Sequence, residues 1–326
     1  MLLSILIVSY NTHTLTRRTL ESVIAQIESS SVLNQKSEIW LIDNNSSDDS
    51  VRMAKSLQKN FAELHIIENT KNVGFAAANN QAISQSTGQY ILLLNSDTVV
   101  QADALEQMVH TFSDQHKDPS AALLSAAPGK INHLGILSCQ LLNPDGTEQA
   151  QGGSLPTLLS LASQLLFLDD LPGIGRFFPS TQHTGKSQRH YPHRSLFAID
   201  WVGGTAMMIK RELFAEVGLL DSNIFMYGED IEFCMRAADH HWDVAILPSA
   251  KIIHFGSASS SSKNAIIGEL KGYLYIWSKH KPLWQAPVVK TLLHFGVQLR
   301  ILIFGTILKN RVKAALYRDA AIALKN

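Results

Sequence analysis

Apolar residues near the start of the chain gather in short, almost unbroken runs. Ser4-Ile5-Leu6-Ile7-Val8, Glu38-Ile39-Trp40-Leu41-Ile42 and Tyr90-Ile91-Leu92-Leu93-Leu94 have the pattern of strands buried on both faces. Thr14 to Gln26, Ser50 to Asn60 and Phe75 to Ser86 read as helices. Strands alternating with helices predict right-handed βαβ units in a mainly parallel sheet. Each strand runs into polar residues: Ser9-Tyr10-Asn11, Asp43-Asn44-Asn45 and Asn95-Ser96-Asp97. Ligands of open α/β sheets bind beyond the carboxyl ends of the strands, so these three clusters are expected to converge on one site.

Further along, Gly152 to Leu196 is punctuated by Pro and Gly, with an apolar run from Leu155 to Leu168 and a basic, His-containing stretch from Lys186 to Arg194. Residues 152–196 are read as an irregular, acceptor-side insertion. The stretch Leu283 to Leu308 is rich in Leu, Ile and Val but carries Lys290, His294 and Arg300. Fewer than ~18 uninterrupted apolar residues make a membrane-spanning helix the weaker reading and an interfacial amphipathic helix the stronger one. The expected organisation is an α/β domain over 1–260 and a helical extension over 261–326. The serine-rich run Ser257 to Ser262 is the one low-complexity tract, and no internal repeat occurs.

Composition narrows the function. Hydrophobic residues make up 45% and charged residues 17% of the 326, a globular balance. With 28 basic and 28 acidic residues the electrostatic basis for nucleic-acid binding is absent, and any nucleotide bound is expected to be small. Cys139 and Cys234 form no CxxC pair, which argues against a disulfide framework or a cysteine-ligated zinc site and fits a reducing cytoplasm. The apolar start, Met1 to Val8, lacks a basic flank and passes directly into Ser9-Tyr10-Asn11. It reads as a buried first strand rather than a signal peptide.

Several residues suggest chemistry but have plainer readings when taken singly. Asn95-x-Asp97 after a strand is a common turn, and Asp43 suits an Asx turn. Acidic residues at 229 and 230 complement a helix N-terminus. A lone His254 after Lys251-Ile252-Ile253 is more often a structural hydrogen-bonder than a ligand. Gly74, ahead of the apolar helix from Phe75, places backbone N–H groups where an anion could sit, or simply starts the helix.

Their order along the chain changes the weighting. Val8-Ser9-Tyr10-Asn11, Asn72-Val73-Gly74-Phe75 followed by Asn79, and Asn95-x-Asp97 lead to Trp201-Val202-Gly203-Gly204-Thr205-Ala206-Met207-Met208-Ile209. Then come Asp221, Tyr227-Gly228-Glu229-Asp230-Ile231-Glu232-Phe233-Cys234 and His254-Phe255-Gly256-Ser257. Over residues 3 to 257 this series resembles the family-2 glycosyltransferases of the GT-A fold, with closest similarity to bacterial rhamnosyltransferase-like members. The resemblance implies an α/β, Rossmann-like mixed and mainly parallel sheet with flanking helices, and inverting transfer of a sugar from a nucleotide diphosphate to an acceptor hydroxyl.

Residue by residue, the resemblance implies that Asp230 is the general base and that Asp97 and His254 hold Mg2+ or Mn2+. It implies that Tyr10 and Asp43 hold the nucleobase, that the segment with Asn79 closes over nucleotide and sugar, and that Asn95, Gly204 and Glu229 contact substrate. An aromatic face offers stacking to a base, and a carboxylate accepts from the imide N–H of uracil or thymine. Many members carry Asp-x-Asp where this chain has Asn95-Ser96-Asp97, so a weaker metal site is expected. No Gln-x-x-Arg-Trp run follows Asp230, which favours single-sugar addition over polymerisation.

The expected donor is dTDP-L-rhamnose, with UDP-hexose, UDP-N-acetylhexosamine or UDP-galactofuranose as alternatives. The expected acceptor is a glycan or lipid-linked sugar in bacterial surface glycan synthesis. A catalytically silent sugar-nucleotide scaffold is the reading from another class, and the co-occurrence of Asp97, Asp230 and His254 argues against it. Nucleotidyl transfer lacks the glycine- and lysine-rich phosphate loop it would need. Basic residues around Leu283 to Leu308, from Lys279 to Lys313, raise peripheral association with an anionic membrane at the cytoplasmic face. A helical hairpin packed on the α/β domain weighs equally.

Overall fold

The computed structural model describes residues 1–117, 131–182, 196–256 and 262–324. The basic stretch Lys186–Arg194 and most of the serine-rich run 257–262 lie outside them. The predicted strands form as β1 (Leu3–Ser9), β2 (Ser37–Asp43) and, after an additional β3 (Leu64–Glu68), β4 (Tyr90–Asn95). The predicted helices form as α1 (His13–Ser29), α2 (Ser50–Gln58) and α3 (Phe75–Gln85). Short β5 (Thr98–Val100) and α4 (Ala104–Lys117) lead to β6 (Leu134–Leu142), β7 (Glu148–Gln149), β8 (Gly152–Gly153) and α5 (Leu158–Leu165). Then follow β9 (Phe197–Ile199), β10 (Trp201–Val202), β11 (Ala206–Lys210), α6 (Arg211–Val217), α7 (Glu229–Asp239) and β12 (Asp243–His254). Three helices end the chain: α8 (Ser262–His280), α9 (Gln285–Leu302) with a π-helical turn Ile303–Ile307, and α10 (Arg311–Ala323).

The main sheet runs β3-β2-β1-β4-β11-β6-β12-β5. Its first four strands are parallel, β6 and β12 are parallel, and β11 is antiparallel to both of its neighbours. The strand alternation sorts β1 onto two cores: Leu3, Ile5 and Ile7 face α1 residues Leu20, Val23 and Ile27, while Leu6 joins Ala76, Ala78 and Ala82 of α3.

Register levels the strand ends. Ser9 lies opposite Asp43 and Val8 opposite Asn95, so the polar residues after β1, β2 and β4 emerge on one edge. The distal half of β12 pairs antiparallel with β5, setting His254 opposite Thr98. That pairing brings His254 beside Asp97 from a strand more than a hundred residues away in sequence.

The segment expected to be irregular contains a helix. Thr157 and Ser160 form a reciprocal capping box at the start of α5, and Leu161 and Leu165 are buried. A Cβ at Gly296 of α9 would come within 2.9 Å of Leu165, and Arg300 donates to the carbonyls of Leu165 and Gln164 at 2.7 and 3.1 Å. A cation thus completes the free carbonyls at the end of α5. The apolar run seats the C-terminal helices.

Helix α8 is fixed to the α/β domain by a charge cluster. Glu232, fully buried, accepts from Arg236, from Lys279 at 2.8 Å and from His280 at 2.9 Å. Asp221 accepts from Lys279 at 2.6 Å and from the Tyr275 hydroxyl at 2.7 Å. Glu232→Gln would leave these cations facing an uncharged amide. Removing one partner of a buried pair costs ~3–5 kcal/mol, and with Lys279 partly in water the lower end, about 3 kcal/mol, is expected. Urea denaturation of the two chains measures it, and unchanged stability would show that the cluster does not hold α8.

Candidate functional site

Beyond the strand ends lies a cleft of about 800 Å3. One side is formed by Val8, Tyr10, Asn95 and Ser96 from the ends of β1 and β4. Gly204 and Thr205 before β11, the loop 223–227 and the start of α7 continue the wall. The other side is α8, with Ile267, Gly268, Lys271, Gly272 and Tyr275. The sequence reading did not anticipate α8 as a wall. A Cβ at Gly268 would lie 2.6 Å from the Tyr227 ring, and one at Gly272 would collide with the Tyr227 carbonyl oxygen. These two glycines, four residues apart and so on one helix face, let α8 lie directly on the turn that precedes Glu229. Their spacing was the available signal.

At that turn Tyr227 and Gly228 both have positive φ, 72° and 110°. The chain enters α7 with Glu229 and Asp230 side by side facing the cleft. Asp230 accepts from the N–H of Ile231 at 2.8 Å and from the N–H of Gly204 at 3.2 Å. Glu229 is 5% exposed and its Oε2 has no partner. Burial, and then the charge of Asp230, push the Glu229 carboxyl well above the usual carboxylate range. Burial also raises Asp230, opposed by the two backbone N–H donors. The ionised member of the pair is therefore better supported at Asp230, and Glu229 is the better place for a proton.

Asp97 and His254 meet behind Ser96, outside the residues that line the cleft. His254 Nε2 is 3.3 Å from Asp97 Oδ1, and Nδ1 is 2.6 Å from Gln149 Oε1. Gln149 uses its own amide N–H on Asn143 at 2.9 Å, so its oxygen faces the ring and takes the Nδ1 proton. Nε2 then faces a carboxylate whose two buried oxygens have no hydrogen-bond partner. Such a site calls for a cation, and its oxygen and imidazole donors suit Mg2+ or Mn2+. Among the described residues no third His, Cys, Asp or Glu joins them, which leaves the other positions to phosphate and water oxygens.

The turn carrying Asp97 is held by hydroxyls that the sequence reading also missed. Thr12, Thr16 and Thr19 are buried along one face of α1 and its entry. Thr19 donates to the carbonyls of Ser96 and Thr98 and accepts from the N–H of Thr98, while Thr12 contacts Ser96 Oγ. Three hydroxyls at helical spacing were the available signal.

The remaining candidates divide. Tyr10 is 40% exposed at the cleft. Asp43 is buried at the end of β2, where Oδ2 closes an Asx-type turn on the N–H of Ser46 and Oδ1 has no partner. Asn95 and Gly204 line the cleft, and Asn95 Nδ2 reaches Thr205 Oγ1 at 3.4 Å. Asn79 is not brought to the cleft: fully buried on α3, it donates to its own helix at the Phe75 carbonyl. One helical turn earlier, Phe75 lines the cleft and docks against Gly204. The N–H of Phe75 is bonded to the Phe225 carbonyl at 2.8 Å, so this part of the helix start is closed to an anion. Asn72 and Phe75 are the members of the segment that line the cleft.

Residues 4–138 match the model of glycosyl transferase family 2. The chain is 24% identical over 264 residues to the N-acetylglucosaminyl-diphospho-decaprenol L-rhamnosyltransferase of Mycobacterium tuberculosis, covering 78% of this chain and 79% of the relative. It is 25% identical over 196 residues to the low-salt glycan biosynthesis hexosyltransferase Agl10 of Haloferax volcanii, covering 59% and 52% respectively. Among solved structures, the mannosyltransferase PcManGT from Pyrobaculum calidifontis, in complex with GDP-Man and Mn2+, superposes with a TM-score of 0.54 at 14% identity. That match covers 99% of this chain and 85% of the other. GalNAc-T7 with UDP, GalNAc and Mn2+ gives 0.55 at 16% identity, covering 90% of this chain and 55% of that one.

The raised Glu229 has a consequence for stability. A carboxyl whose folded value exceeds its ordinary 4.5 contributes stability that is present in full below that value and lost as pH rises through the raised one. Glu229→Gln cannot ionise. Its thermal midpoint should therefore decline less than that of the unaltered protein between about pH 5 and pH 8. Parallel pH profiles in differential scanning calorimetry would show that Glu229 is not the titrating group.

Proposed function

We propose that this chain, whose residues 4–138 match glycosyl transferase family 2, transfers a sugar from a nucleoside diphosphate to an acceptor hydroxyl with inversion, Asp230 acting as general base. The observation that carries this reading is the Asp230 carboxylate, which faces the cleft, is oriented by two backbone N–H groups and is made more basic by burial. The acceptor hydroxyl passes its proton to Asp230 while its oxygen forms a bond to the anomeric carbon. The bond from that carbon to the diphosphate oxygen breaks, and its electron pair leaves with the nucleoside diphosphate. A single displacement inverts the anomeric centre. A protonated Glu229 spares Asp230 a second negative charge at its side.

For the donor, the exposed Tyr10 ring offers stacking and the unpartnered Asp43 Oδ1 an acceptor for an imide N–H. dTDP-L-rhamnose is the donor we favour, supported by the L-rhamnosyltransferase named among the relatives. UDP-hexose, UDP-N-acetylhexosamine and UDP-galactofuranose present the same imide. Asp97 and His254 would hold Mg2+ or Mn2+, which when bound supplies positive charge to the diphosphate leaving group. The acceptor class we favour is a lipid-linked or glycan sugar of the bacterial envelope, as the diphospho-decaprenol in the name of the mycobacterial relative suggests.

Association with the cytoplasmic face of the membrane is part of the proposal. Residues 270–318 hold nine Lys and Arg and no Asp or Glu, in a chain of zero formal charge. On α9, Val288, Phe295 and Leu302 are exposed at seven-residue spacing, flanked by exposed Leu283, Trp284, Ile307, Leu308 and Val312. Gln285–Ile307 is long and apolar enough to cross a membrane. Its inner face, however, is engaged by α5 through Gly296 and Arg300, so a helix lying in the interface fits better.

Three measurements test these readings. Asp230→Asn should lower turnover ~10²–10⁴-fold and leave nucleotide affinity in place, because loss of a base acts on the transition state. Asp97→Ala should instead weaken Mn2+ binding in calorimetry. An Asn variant that turns over normally would remove Asp230 as base. In vesicle sedimentation, replacing Lys309, Arg311 and Lys313 by Gln should weaken binding to phosphatidylglycerol vesicles about 100-fold at low salt, at ~1 kcal/mol per basic residue. Indifference of the full chain to such vesicles would rule out membrane docking.

A further inference from the structure

Helix α8 carries Lys271, Tyr275 and Lys279 at four-residue spacing, which places them on one face. Tyr275 and Lys279 are both bonded to Asp221 and hold the helix against the loop that leads to α7. Lys271, one turn nearer the helix start, lines the cleft. It is exposed and, among the described residues, makes no ion pair. No other Lys, Arg or His lines this cleft among the described residues, although Glu229 and Asp230 do.

We propose that Lys271 is the cation of a phosphate subsite on α8 that receives the acceptor, a sugar carried on a phosphate or diphosphate. The inference rests on the glycosyl-transfer reading and adds a substrate class to it. A lysine ammonium on a flexible stem is suited to phosphate as a point charge. The anion is assigned to the acceptor because the donor's residues Tyr10 and Asn95 stand on the wall formed by β1 and β4, with Asp97 and His254 behind Ser96, whereas Lys271 stands on the other wall, α8. The surroundings match an acceptor of mixed character. Ile267 from α8 and Phe225, 56% exposed, border the same space, so a sugar phosphate with an attached hydrocarbon finds apolar surface beside the charge. Glu229 and Asp230 follow directly on the turn that Gly272 packs against, so an acceptor anchored at Lys271 presents its hydroxyl on the base side of the cleft.

Titration calorimetry on the full chain with two diphosphates separates the sources. Geranyl diphosphate stands for the acceptor and dTDP for the donor. Lys271→Ala should weaken geranyl diphosphate binding about tenfold or more, the loss expected for a charged hydrogen bond, and Lys271→Arg should retain most of it. Binding of dTDP should change less than about twofold in either variant, well short of that loss. A matching loss for dTDP would assign Lys271 to the donor and overturn the proposal, as would unchanged geranyl diphosphate binding. Failure of the unaltered chain to bind either dTDP or UDP would count against the glycosyl-transfer reading itself, an outcome separate from the behaviour of geranyl diphosphate.

Discussion

Two carboxylates cannot be placed side by side in a poorly solvated corner without a division of labour, and the site is built around that constraint. Adjacent negative charges repel strongly where water is scarce. The fold does not add a cation to relieve them: Lys271 shares the cleft without pairing with either. It supplies backbone dipoles to one of the two. The N–H groups of Ile231 and Gly204 converge on Asp230, and the first turn of α7 places a partial positive charge behind both. Glu229 keeps an unpartnered oxygen. Environments that separate two neighbouring carboxyls in this way generate an acid and a base from one residue class.

Gly204 ties that pair to the sheet. Its N–H serves Asp230, its lack of a side chain admits the Phe75 ring, and the carbonyl of Thr205 accepts from the N–H of Asn95. The Asn95-x-Asp97 variant acquires a structural meaning here. An amide at 95 can donate to the Thr205 hydroxyl in a way that a carboxylate cannot, so Asn95 connects the end of β4 to the residue that precedes β11. Among the described residues Asp97 is the one carboxylate paired with His254, so a cation held there would need substrate or water oxygens to complete its shell.

What could be read from the sequence was what is locally encoded. Runs such as Ser4–Val8 and Tyr90–Leu94 are apolar on both faces because their strands are covered on both faces. The polar residues after them sit level because parallel strands keep register. A helix N-terminus at Glu229 and Asp230 followed from the acidic residues themselves, which complement the dipole of α7. The insertion of β11 between β4 and β6 was not legible, since Ala206–Lys210 carries nothing that names an antiparallel partner. The burial of Asn79 and its bond to the Phe75 carbonyl were not legible, because the reading of Asn79 rested on the resemblance and not on its packing within α3. The wall made by α8 depends on Gly268 and Gly272 meeting a turn forty residues upstream, a complementarity visible only once both surfaces exist.

That wall also links the site to the end of the chain. Glu232 lies on the same first turns of α7 as Asp230 and receives Lys279 and His280 from the end of α8. Asp230 and the α8 wall are therefore joined through one buried charge cluster, and a displacement of α8 would disturb that cluster. The links to α9 are short, since only Lys281 to Trp284 intervene, and Trp277 bonds to Gln285 across them at 3.0 Å. A surface that captured the exposed face of α9 would thus hold the cleft at a fixed height and tilt. For an acceptor confined to a bilayer, such geometry replaces a search in three dimensions by one in two, and it is the orientation of α9 relative to α8, more than its apolar area, that would decide which acceptors reach Asp230.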